Sequence, residues 1–80
     1  MDLSNDELRL AVADLVRIHR RKQGLTQEKL AGAAGITFEH LNHVENDRSS
    51  PSIRVLDRLA KALGFERLSA FLGDDPRRRL

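Results

Sequence analysis

The stretch from Leu25 to Asn46, LTQEKLAGAAGITFEHLNHVEN, constrains the chain most. Leu30, Ala31 and Ala34 recur at helical spacing before Gly35, and Leu41 and Val44 do so after it. Thr26 and Thr37 each stand where a side-chain oxygen can cap a helix start. Gly35 falls where the first of these helices must end, because a residue without Cβ takes the left-handed conformation at little cost. Ile36 then plugs the corner. The spacing predicts helices from Gln27 to Ala34 and from Phe38 to Asn46, crossing sharply around a tight turn.

The flanking segments read as three more helices. Ser4 with Glu7 three residues on forms a capping box, opening a helix that runs to Gln23 and stops at Gly24. Val12, Leu15, Val16 and His19 make one apolar face; Leu8, Ala11, Leu15 and Ile18 make a second stripe beside it. So wide a face suits a central helix packed on two neighbours, or a partner surface through Leu8, Ala11 and Ile18. Asn46 to Pro51 is a loop. Ser52 caps a fourth helix that reaches Leu63, with Ile53, Leu56, Leu59, Ala60 and Leu63 inward. After Gly64, the residues Phe65, Leu68, Phe71 and Leu72 form a short fifth helix closed by Gly73. Gly32, inside the second helix, costs about 1 kcal/mol relative to alanine and suggests a close approach by a neighbour. No segment alternates as a strand would. The expected fold is all-α: one five-helix domain over residues 1–73 and a charged tail over 74–80.

Composition excludes several functions. A chain of 80 residues buries only about 60% of its unfolded surface, so self-association is an expected aid to stability. It has no cysteine, and no apolar run approaches the ~18 residues of a membrane span. The acidic opening MDLSNDEL is unlike a signal peptide, so a cytoplasmic protein is expected. His19 reads as a half-buried histidine with one bonded ring nitrogen. His40 and His43, three apart on one helix, are too few for a metal site. No metal, cofactor or catalytic constellation is expected, and the chain does not read as an enzyme.

The ordered set Gly24-Leu25-Thr26-Gln27-Glu28, Leu30-Ala31, Gly35-Ile36, Leu41, Val44-Glu45-Asn46, Pro51-Ser52 and Leu59-Ala60-Lys61-Ala62-Leu63-Gly64 resembles Cro- and phage-repressor-type helix-turn-helix domains, the xenobiotic-response-element family. The resemblance covers roughly residues 12–72. It implies a lambda-repressor-like bundle with the helix-turn-helix at helices 2 and 3. It also implies a structural ion pair between Arg20 and Glu45, and a homodimer on double-stranded DNA. Helix 3 would enter the major groove, with Phe38, Glu39, Asn42 and His43 facing base edges. Gln27 and Asn46 would contact phosphates, joined by Arg48, Arg17 and Arg21. The favoured dimer surface is helix 5, through Phe65, Leu68, Phe71 and Leu72, with part of helix 1.

Charge complicates that expectation. Residues 25–50 carry two basic and four acidic side chains, so the segment that would face DNA has a net charge of −2. Residues 51–80 carry +3, partly through Arg77-Arg78-Arg79, which suits either a phosphate-tracking or a solubilising terminus. A second reading therefore stands beside the first. The fold would be kept as a protein-interaction module, antitoxin- or adaptor-like, whose helix 3 binds another protein.

Overall fold

The computed structural model describes residues 5–46 and 51–74, with side chains from residue 12 onward. The expected roles of Ser4, Arg48 and Arg77–Arg79 lie outside the described residues, as do those of the Leu8 and Ala11 side chains. Within them the fold is all-helical: α1 (Asn5–Lys22), α2 (Gln27–Ala34), α3 (Phe38–Glu45), α4 (Ile53–Ala62) and α5 (Leu68–Leu72).

Each start of α2, α3 and α4 is set by a hydroxyl. Thr26 accepts from the Lys29 amide at 3.1 Å, Thr37 from His40 at 3.0 Å and Ser52 from Val55 at 3.2 Å. The turn between α2 and α3 depends on Gly35, which sits at φ 71°, ψ 31°. With the chain reversed there, the Ile36 amide donates back to the Ala31 carbonyl at 3.0 Å, satisfying an end-of-helix acceptor.

The core forms where these elements meet. α2 packs on α4 and α3, α1 on α3, and α4 on α5. Val16, Leu30, Leu41, Leu59, Ala60 and Phe71 are fully buried at the centre. Gln23 sews the end of α1 to the end of α4, its Nε2 donating to the Leu63 carbonyl at 2.7 Å. His19 is buried among Phe65 and Phe71, with ring centroids 5.1 and 5.6 Å away. Its Nε2 lies 2.7 Å from the Asp74 carbonyl, which can only accept, so Nε2 carries a proton. This bond ties α1 to the residue that follows Gly73.

Four expectations need correction. Ile53 is 76% exposed rather than inward. It opens α4 at the rim of the bundle, where Val55 turns onto the core instead and Leu56 is half-buried. Phe65 precedes α5 rather than forming part of it. Gly64 reverses the chain at φ 93°, and the Phe65 amide closes back on the Ala60 carbonyl. Phe71 is wholly buried within its own bundle, so it is a core residue rather than part of an exposed surface. Gly32 marks no close approach, for a Cβ there would meet nothing within 4 Å. It lines an open groove of about 540 Å³ between α2 and α4, bordered by Arg58 and Lys61.

Candidate nucleic-acid interface

The outer face of α3 is built on one carboxylate. Glu45 ends the helix with its side chain 2% exposed, inside the bundle. Arg20, one turn from the end of α1, meets it with two bonds: Nε to Oε2 at 2.7 Å and Nη2 to Oε1 at 2.9 Å. The guanidinium's remaining nitrogen donates to the Leu25 carbonyl at 2.9 Å, so one side chain fixes α3 and the entrance to α2 together.

Arg17 works on the same residue by its main chain. Its Nη1 donates to the Glu45 carbonyl at 2.7 Å, while Nη2 pairs with Asp14. That carbonyl belongs to the last turn of α3, where acceptors lack helical partners and a cation suits the negative end of the helix. The sequence did not signal this use of Arg17. Its only trace is the three-residue spacing from Arg20, which puts both on one face of α1.

A chain of amides continues from Glu45 to the surface. Gln27 Nε2 donates to Glu45 Oε1 at 3.1 Å and to Asn42 Oδ1 at 3.4 Å. Asn46 Nδ2 donates to Asn42 Oδ1 at 2.9 Å and to the Asn42 carbonyl at 2.8 Å. Gln27, Asn42 and Asn46 therefore lie side by side where α2 and α3 approach each other. Beyond them, Phe38 is 44% exposed, and Glu39 and His43 are exposed on the same helix.

The structure thus brings Phe38, Glu39, Asn42, His43, Gln27 and Asn46 onto one side of the α2–α3 pair. Arg21 is exposed near the end of α1, and Arg17 is occupied as described. Arg48 lies outside the described residues. Of the residues expected at the dimer surface, Leu72 is 45% exposed, Phe65 and Leu68 are half-buried against the core, and Phe71 is interior. Among the described residues, no group of three or more His, Cys, Asp or Glu could hold a metal ion. No described helix is long and apolar enough to cross a membrane.

Comparison with known proteins identifies the family. A family model described as Helix-turn-helix matches residues 16–71. An uncharacterised HTH-type transcriptional regulator of Methanothermobacter thermautotrophicus is 44% identical over 54 residues, covering 68% of this chain and 78% of that protein. The immunity repressor protein of Bacillus phage phi105 is 33% identical over 66 residues, covering 82% of this chain but only 45% of the repressor. The crystal structure of the restriction-modification controller protein C.AhdI from Aeromonas hydrophila superposes with a TM-score of 0.73 at 28% identity, over 80% of this chain and 94% of that one. Proteins of this kind are transcriptional regulators and not enzymes. With its capped helix pair, its Gly35 turn and this match across most of its length, the chain belongs to the helix-turn-helix family of transcriptional regulators.

Proposed function

We propose that the chain is a sequence-specific DNA-binding regulator, working in the cytoplasm as a homodimer on a two-fold operator. α3 enters the major groove as the recognition helix, and the start of α2 rests on the backbone. The observation that carries this reading is the exposed face of α3, bordered by the amides of Gln27 and Asn46 and anchored by Arg17 and Arg20. Gln27 and Asn46 meet phosphates, aided by the positive N-terminal end of α2. Phe38 packs on a thymine methyl, Glu39 accepts from cytosine N4 and His43 donates to guanine. Arg21 and Arg48 supply positive charge around a motif that has little of its own. Half-sites would lie about one helical turn, ~34 Å, apart. The phage relative is named a repressor, and repression is the mode we assign here.

A specific observation favours a second reading. The helix pair is net acidic, and Phe38 is a large apolar side chain left 44% exposed on it, as a protein-binding face would be. Ionic strength separates the two. Binding through several phosphates falls by orders of magnitude between about 50 and 200 mM salt, whereas docking through Phe38 does not. Binding to DNA that is insensitive to salt, or absent at low salt, would favour the protein partner.

A further inference from the structure

Asn42 occupies a base-facing position on α3, where a free amide would read adenine with one donor and one acceptor. Its acceptor is already in use. Oδ1 receives Asn46 Nδ2 at 2.9 Å and, more loosely, Gln27 Nε2 at 3.4 Å. Chemistry fixes which end of the amide this is. Asn46 Nδ2 also meets the Asn42 main-chain carbonyl at 2.8 Å, and a carbonyl only accepts, so the Asn46 atom is the nitrogen. The Asn42 atom facing it must then be oxygen. Gln27 is oriented the same way by the Glu45 carboxylate at 3.1 Å. An amide oxygen has two lone pairs, and two donors approach it here. Asn42 is left with Nδ2, which donates but cannot accept from the adenine amino group.

We infer that Asn42 is a positioning residue rather than a base reader. It holds the side chain of Asn46, and secondarily that of Gln27, at the phosphate-facing edge of the helix pair. A side chain ordered before binding loses less rotamer freedom when it binds. Base selection then falls to Phe38, Glu39 and His43. The inference rests on the DNA-binding reading and deepens it.

The test compares wild type and Asn42→Ala by selection from a random-sequence DNA pool. Affinities are then measured on the recovered site and its single-base-pair variants. The expected result is an unchanged motif, with affinity lower by about three- to tenfold alike on every variant. The loss should shrink in an Asn46→Ala background, because Asn42 acts through that side chain. A purely structural role would give equal losses in both backgrounds and would overturn the inference. So would preference lost at one base pair, or affinity that is unchanged or raised. Asn42→Ser takes away the amide and adds no charge, so it serves if the alanine variant does not fold; a changed motif in it also overturns the inference. Failure of the wild type itself to enrich a motif overturns the DNA-binding reading, and this appears before any variant is compared.

Discussion

Arg20 grips Glu45 through two N–H···O bonds of 2.7 and 2.9 Å, spanning from the end of α1 to the end of α3. Both groups are largely withdrawn from water, at 12% and 2% side-chain exposure. The carboxylate takes a third donor from Gln27, and the carbonyl of the same residue takes Arg17. Orientation of the α3 face therefore depends on α1 as much as on the turn at Gly35.

Breaking one partner of this pair leaves the other charge buried without compensation, at a cost of about 3–5 kcal/mol. Domains this small hold roughly 5–15 kcal/mol in all. Arg20→Ala and Glu45→Ala should each lower the thermal midpoint by more than about 10 °C. Calorimetry or circular dichroism would show it, and an unchanged midpoint would mean that the pair is not a determinant of the fold.

Arg17 separates a structural cation from a phosphate contact. A side chain that neutralises a phosphate contributes close to one unit to the slope of log affinity against log salt. Arg17 already serves the Glu45 carbonyl and Asp14. Arg17→Ala should weaken DNA binding while leaving that slope unchanged, and Arg21→Ala should flatten it. A slope that falls by about one unit for Arg17→Ala would return it to the phosphate set.

The glycine within α2 and the one that ends it should respond oppositely to alanine. Gly32 is helical with open space where a Cβ would go, so Gly32→Ala should stabilise by up to about 1 kcal/mol. Gly35 holds φ 71°, a conformation that costs a residue with Cβ about 1–2 kcal/mol, so Gly35→Ala should destabilise. Denaturant unfolding of both variants measures the contrast, and two shifts of the same sign would contradict it.

Self-association should depend on Leu72 and not on Phe71. Leu72 is 45% exposed at the end of α5, beside half-buried Leu68, whereas Phe71 fills the core. Leu72→Glu should yield a folded monomer by sedimentation. Phe71→Ala should cost about 3–5 kcal/mol of stability through the cavity it leaves. A dimer that survives Leu72→Glu would move the contact elsewhere, with Ile53, at 76% exposure, the next surface to test.

The helices were legible because their ends carry local chemistry. Thr26, Thr37 and Ser52 cap by their own side chains, and Gly35 and Gly64 reverse the chain by their own backbones. The phase of α4 was less legible. Ile53 fits an inward stripe by spacing, yet one residue at the first turn is enough to lie past the edge of the core. Phe71 shows the same limit: an apolar residue on a short helix carries no mark of whether its own bundle or a second copy covers it. The bonding of Asn42, Gln27 and Asn46 could not be read at all. It depends on two helices meeting within hydrogen-bond reach, and sequence spacing within either helix says nothing of which amide atom is already occupied.

The most direct test of the central claim is selection from fragmented genomic DNA. Pure folded protein is mixed with the fragments at low salt, and the retained DNA is sequenced. The account predicts a palindromic motif with half-sites about one helical turn apart, weakened at defined base pairs by Phe38→Ala and His43→Ala. No enriched sequence from folded protein would contradict it and would direct the search to a protein that covers Phe38.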